Sequence, residues 1–589
     1  MAAKVISLNI KPGIQRDGTQ FDAPVYVDGR WVRFQRGRPR KIGGYRGMFQ
    51  NAAGISRGMI VNSEDGLNYV YSGWRDGIQE WRVDNDDGVG AGPSNISMSN
   101  FTANDNNLWQ FDLGFDASGS GSQTIVAHPG LNLQFIDNTV NTPVLIGDFP
   151  SGAMSQVGVF TAAGTMVVGP PSVFTIGSIN ALIAIGQTVT GTGIPSGTTV
   201  TNVVIGSSTT DVTLSNTATT AGALTLTFNN NISVSGGCVM LHPYLFVFGN
   251  NGLIKNSSAG NFQDWVSADA NENTVAGTKV VQGFPVRGGT TSPSGLFWSL
   301  DSVIRVSYAP QTVGTSTIYW RYDIVTSQSS ILSSSSVIEY DGMFFWCGVD
   351  RFLMYNGVVQ ELANTMSTNY FFDNLNYSQR QKVWASKVPR WGEIWWFYPR
   401  GDATECNDAI IYNVREKVWY DAGSARGASR SAGYFSEVFR KPIWASNTEN
   451  TDNSYTLWQH ETGTNLVLGN QQSAIQSYFE TDSLGWVNGG PNQNDPIGMN
   501  NWIRLERVEP DFVQSEEMNL YVTGKGYATD QDVVTGPYPF SPDTLKIDLR
   551  EQRREMRLRF ESNIVNGNYE CGLNLLSADV GDVRSTGSP

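Results

Sequence analysis

The chain has 589 residues, too many for one ordinary hydrophobic core, and its 40% hydrophobic and 11% aromatic content supplies material for more than one. Only 16% of residues are charged while 63 are Gly, a composition of short strands and turns that leaves little for long amphipathic helices. The formal net charge of −14 argues against tight binding of nucleic acid through its phosphates.

The opening MAAKVISLNIKPG lacks the apolar core of a secretory signal. No later run approaches the roughly 18 apolar residues of a membrane span, and Ile179–Ile185 is far too short. Arg30–Arg46 departs from the acidic balance, with seven basic residues and no acid. Within it Arg30, Arg33, Arg36 and Arg38 are interleaved with Trp31 and Phe34. Arg and aromatic side chains together suit a partly buried protein interface, so these six residues are the candidate contact with an acidic protein partner. A solvated strand pair turning at Gly37 is the plainer alternative, and nucleic-acid recognition ranks third.

Ile55–Val83 holds three strand-like runs separated by turns at Asp65-Gly66 and Asp76-Gly77. The polar loop Asp84–Gly92 lacks the ligand spacing of a calcium loop and reads as a solvated turn. His128–Gly147 resembles a further hairpin. Ser151–Ser235 then changes character: it has no Lys or Arg, one acid, Asp211, and short Thr- and Val-rich alternating strands between Gly turns. It reads as a small inserted β-domain, either a surface-binding decoration or a structural spacer.

From His242 onward an aromatic strand, a polar turn and a second strand recur. The turn centres Asn250, Asp301, Asp350, Asp402 and Asn453 are 51, 49, 52 and 51 residues apart. A period near 50 residues in an all-β chain suits one four-stranded propeller blade, and with the earlier hairpins it predicts six or seven blades. An evenly spaced sandwich is the rival. Trp346, in the run MFFWC, is expected in the blade core. Beyond about residue 466 the rhythm stops. WIRLERVEP, EMNLYV and REMRLRFE alternate like half-buried strands, with Met556, Leu558 and Phe560 on one face. Tyr538-Pro539 and Ser541-Pro542 are expected to keep their loop irregular, and the tail Val583–Pro589 is expected to be loose. The expected organisation is therefore a basic N-terminal segment (1–50), first blades (51–150), insert (151–235), remaining blades (236–465) and a C-terminal β-sandwich or barrel platform (466–589), which residues 1–50 join.

Chemistry is sparse. The sequence contains no Walker-type GxxxxGK[ST], GxSxG or HExxH motif and no paired-Cys motif. His128, His242 and His460 lie far apart, and Cys238, Cys347, Cys406 and Cys571 read as buried free thiols. Ser63–Tyr69 half matches a sialidase-type box, and Asp301, Asp350 and Asp402 read as turn carboxylates. No catalytic, cofactor-binding or metal-binding residue is assigned, and the chain is read as a non-enzyme.

Four stretches resemble the tail nozzle proteins of short-tailed, podovirus-type bacteriophages, also called packaged-DNA stabilisation proteins. They are DGRWVRFQRGRPRKIGGY (Asp28–Tyr45), HPYLFVFGNNGLIKNSSAGNFQDW (His242–Trp265), GMFFWCGVDRFLMYNG (Gly342–Gly357) with WGEIWWFYP (Trp391–Pro399), and REMRLRFESN (Arg554–Asn563). The resemblance implies a virion protein assembled in the host cytoplasm, a homo-hexameric ring below a portal-adaptor ring, and attached fibres or tip proteins. It also implies a propeller-lined channel that retains packaged genomic DNA, contacts it transiently and passes it at ejection. A glycan-binding or glycan-hydrolysing propeller is the alternative from another class.

Overall fold

The apolar and aromatic runs fold as strands, and a computed structural model of the protein is all-β apart from short helical turns. It describes residues 4–18, 24–64, 67–83, 90–98, 101–105, 108–115, 123–130, 134–136, 154–230, 234–287, 293–314, 316–437, 439–484, 502–526 and 530–580. The turn at Asp65-Gly66, most of the loop 84–92, the end of the 128–147 hairpin and the tail 583–589 lie outside the described residues. No helix among the described residues is long and apolar enough to cross a membrane.

Six four-stranded antiparallel sheets follow one another in the chain. The first is Gly58–Glu64, Leu67–Trp74, Gly77–Val83 and Gly90–Asn95, and the second Gln110–Phe115, Gln123–His128, Gln134–Ile136 and Met154–Gln156. The third is Gly237–Leu241, Tyr244–Phe248, Leu253–Asn256 and Glu272–Thr274, and the fourth Val280–Pro285, Ser294–Ser299, Val303–Val313 and Ser316–Thr326. The fifth is Ile338–Tyr340, Met343–Cys347, Phe352–Tyr355 and Val359–Glu361, and the sixth Trp384–Val388, Glu393–Tyr398, Asp408–Asn413 and Val418–Asp421. A seventh sheet has a split origin. Arg430–Ser436, Lys441–Glu449 and Tyr455–His460 are consecutive, but the neighbour of Tyr455–His460 is Tyr45–Ala52, paired antiparallel with Trp458 opposite Gly47.

The five evenly spaced turns fall between the second and third strands of the third to seventh sheets. The second strands are the aromatic runs, and Tyr244–Phe248, Ser294–Ser299 and Glu393–Tyr398 are buried along their whole length. A strand covered on both faces needs a continuous apolar run rather than an alternating one. The cover is the neighbouring sheets. The first and second sheets share one apolar cluster, the second and third another, and so on to the sixth and seventh. Met48, Met59, Val70, Trp81, Ile443 and Leu457 then join the seventh sheet back to the first. The first strands of the seventh and first sheets also touch, so the order of contacts is cyclic. Trp346 is fully buried in the fifth sheet, and its indole N–H donates to Ser330 O at 3.0 Å.

The insert is a six-stranded sheet spanning Val159–Asn229, with an apolar core of its own that includes Phe174, Val212, Leu226 and Phe228. Its sheet begins later and ends earlier than 151–235. Met154–Gln156 is the fourth strand of the second sheet, and Val157 and Val234 belong to the core between the second and third sheets. Composition misplaces the boundary because those residues are as uncharged as the insert itself.

Both ends of the chain build the remaining sheets. Lys4–Ser7 pairs with Leu575–Val580, Asp28–Arg30 with Ser477–Glu480, and Arg38–Lys41 with both Val32–Gln35 and Tyr569–Cys571. Met556, Leu558 and Phe560 are fully buried, and their core is continuous with Trp384, Trp395 and Phe397 of the sixth sheet and Trp444 of the seventh. The stretch at Tyr538-Pro539 is not an irregular loop: Val533–Phe540 is a strand containing both Pro537 and Pro539. It lies at the edge of its sheet, where a missing N–H costs no ladder bond.

Candidate functional site

The basic segment is a hairpin. Arg36 and Gly37 both have positive φ, 52° and 71°, as a two-residue primed turn requires. It packs between the terminal sheets and the sixth sheet, and this corrects the expectation of a docking arm. Trp31, Arg33 and Phe34 are 0%, 1% and 1% exposed, so none of them can meet another protein's surface. Trp31 donates its indole N–H to Gly43 O at 3.1 Å and meets Trp395 edge-on at 5.8 Å. Gly427 faces the Trp31 ring, and a Cβ there would come within 2.2 Å of it. Arg30 and Arg38 are half-buried; Arg36 keeps a side chain 75% exposed at the turn and pairs with Glu570.

Arg33 is the centre of a buried ion cluster. Its guanidinium reaches Glu393 at 2.8 and 3.0 Å and Glu461 at 2.6 and 2.8 Å, and lies 4.7 Å from the Trp391 ring. Tyr420 Oη donates to Glu393 at 2.6 Å, Trp395 Nε1 to Glu393 at 3.0 Å and Trp391 Nε1 to Glu461 at 2.8 Å. Burial alone would favour a neutral guanidinium, but the two carboxylates outweigh it and hold Arg33 charged. The basic residue therefore does meet acids, on its own chain. A second cluster works the same way nearby: Arg16 forks onto Asp421 at 2.7 and 2.9 Å and pairs with Asp28.

Titratable groups also gather where first strands converge. Asp112, Glu339, Lys387 and Tyr434 lie on the first strands of the second, fifth, sixth and seventh sheets, and Arg287 follows that of the fourth. Lys387 Nζ donates to the Glu339 carboxylate and carbonyl, each at 3.0 Å. Burial raises the Asp112 carboxyl to about 6, opposed by the backbone N–H groups of Met240 and Leu113 and by the charge of Arg287. Arg287 also acts on Glu339 and Tyr434. No sequence motif marks this set, because its members are scattered from residue 112 to residue 434.

Two of the three histidines and all four cysteines are enclosed, whereas His242 is exposed. His128 is fully buried, and burial pushes it down to about 4. His460 is buried and accepts from Arg430 Nε at 3.0 Å; burial, then the charge of Arg430, keep it neutral. All four cysteines are free and buried. Asp301 accepts from Thr278 at 2.6 Å and Ser299 at 2.9 Å, and Asp350 pairs with its neighbour Arg351 at 2.8 Å, as turn carboxylates do. Among the described residues no three His, Cys, Asp or Glu side chains are grouped to hold a metal ion.

One open cleft, of about 570 Å³, lies on the side of the cycle that carries the turns between second and third strands. It is lined from the first, sixth and seventh sheets, with Trp74, Arg57, Lys382, Glu405, Asn453 and Tyr455 among its walls.

No family model matches the sequence, and no curated protein matches it. Among solved structures, the computationally designed protein Ika8 aligns over 71% of this chain and 99% of its own, at 10% identity and a TM-score of 0.31.

Proposed function

We propose that the protein is a structural virion component, the distal nozzle ring of a short phage tail, and that its seven sheets are the blades of a β-propeller. In this reading six copies form the ring, an adaptor ring lies above, and fibres or a tip attach outside. The observation that carries it is the placing of two dissimilar appendages on one cyclic array. The terminal sheets merge with the sixth and seventh sheets, whereas the insert leaves between the second and third. Such a subunit has one end built for a rigid joint and another for a separate contact. Two of the four stretches that resemble nozzle proteins fall on the structural joint: Asp28–Tyr45 supplies the buried hairpin, and Arg554–Asn563 contains a central strand of the terminal sheets. The net charge of −14 supports the reading too, since a conduit through which DNA must slide gains nothing from phosphate-gripping surfaces.

Particle mass tests the proposal. Native mass spectrometry of the purified protein should show an assembly of six subunits of 64.4 kDa, about 386 kDa, alone or on addition of the adaptor ring. A protein that stays monomeric under both conditions overturns it.

A further inference from the structure

The cleft combines three features that together define a ligand. Its floor is a closed ion network, in which Arg57 forks onto Glu405 at 2.7 and 2.6 Å and Lys382 adds a third contact at 2.8 Å. At the rim Arg75 pairs with Asp105 at 2.9 Å. Each bordering cation thus already has a carboxylate, and four carboxylates line the cleft against three cations. An anionic ligand would have to displace these pairs and face a surplus of negative charge. The second feature is aromatic. Trp74 and Tyr455 are half-buried in the walls. Trp74 is held in place by Gly54, where a Cβ would come within 1.9 Å of the ring. The third is unused hydrogen-bonding capacity. Gln379, Gln381, Glu449 and Asn453 border the cleft and make no side-chain hydrogen bond among the described residues. Together they offer three amides, each donor and acceptor, and one carboxylate acceptor.

A ligand complementary to all three is uncharged, carries many hydroxyls and has a flat apolar face. We propose that this cleft binds a neutral oligosaccharide, with Trp74 and Tyr455 receiving the apolar faces of the sugars and Gln379, Gln381, Glu449 and Asn453 bonding their hydroxyls. The aromatic walls contribute the apolar area, and the side-chain amides fix orientation, the division of labour expected of a small-molecule site. The site lies within one subunit and does not rest on the ring assembly.

The test titrates the full chain by calorimetry with three neutral probes, maltohexaose, cellohexaose and N-acetylchitohexaose, and one anionic probe, a hyaluronan hexasaccharide, each to about 10 mM so that millimolar affinity is seen. At least one neutral hexasaccharide binds saturably. Gln381→Ala combined with Asn453→Gly, which keeps the positive φ of 58° at that turn, weakens it by about tenfold or more at an unchanged melting temperature. Trp74→Phe, a second variant, weakens it less. The proposal is overturned if no neutral probe binds, if the hyaluronan fragment binds more tightly than all of them, or if the double variant binds as the parent does.

Discussion

The insert and the terminal sheets are both β appendages of the same cycle, but they are attached by opposite means. The insert keeps its apolar core to itself, and its two ends meet: Val159 pairs with Asn229, and Asn230 N donates to Gly158 O at 2.9 Å. The core of the terminal sheets is not separate. They share one with the sixth and seventh sheets and are fastened to them by the buried Arg33–Glu393–Glu461 cluster. Charge follows the same division. Val159–Asn229 contains Asp211 as its one titratable side chain, whereas Arg16 and Arg33 carry ion pairs across the terminal joint. A unit that buries enough apolar surface internally needs only a tether. A unit whose core runs on into its neighbour is joined across an apolar face, and directional ion pairs then fix the geometry of the joint.

The hardest way to break the contrast is at Arg33. Arg33→Ala leaves two carboxylates buried without their cation, which should cost about 3–5 kcal/mol, read as a lower midpoint in urea melting. A loss under about 1 kcal/mol would mean that the terminal sheets do not depend on this joint.

Lys41 gives a pH-dependent version. It is 3% exposed, donates to Gly567 O at 2.7 Å and pairs with no carboxylate among the described residues, and burial lowers its ammonium to about 8 from 10.5. The unfolded chain keeps that proton up to about pH 10.5, so between roughly pH 8 and 10.5 it binds more protons than the folded chain, and this group's contribution to stability rises with pH. Below pH 8 the full penalty applies, roughly 3 kcal/mol at most by 1.36 kcal/mol per unit. Lys41→Met removes the penalty, so its stability relative to the parent should decline between pH 7 and pH 10 in paired urea melts. The isolated insert, tested the same way, should show no change over that range. A constant difference for Lys41→Met, or a sloping profile for the insert, would remove the contrast.

The mildest intervention should be the largest deletion. Excising Val159–Asn229 and joining Gly158 to Asn230 spans a gap already closed by a hydrogen bond, so the main unfolding transition should move by less than about 1 kcal/mol. Insoluble protein, or a lost cooperative transition, would show that the insert supports the cycle.

The sequence reveals what is local. Period, turn chemistry and alternating runs locate the turns of five sheets, the all-β class and the buried faces of Trp346 and of the strand Glu555–Ser562, because each signal lies within a few neighbouring residues. The basic hairpin is legible as a hairpin, since Gly37 marks its turn. Its burial is not legible, because the residues that cover it, Glu393 and Glu461, lie 360 and 428 positions away. Seven basic residues in a row of seventeen look like a surface when their acids are out of view. The titratable set around Arg287 and the cleft walls are hidden for the same reason.

The seventh sheet has a consequence in time. Its closing strand, Tyr45–Ala52, is made early, yet Arg46 must wait for Gln459, 413 residues later, before the two side chains can bond at 2.9 Å. At the synthesis rates of living cells, about 5–20 residues per second, the wait is roughly 20–80 s. During it Met48 and the face of the first sheet that carries Met59, Val70 and Trp81 lack the partners of the seventh sheet that bury them, and Tyr45–Ala52 has no strand to pair with. The insert faces no such delay, because all its strand pairs close within Val159–Asn229. One polypeptide therefore carries a region that can fold as it emerges and a larger one that must be kept apart from its copies until synthesis is nearly complete.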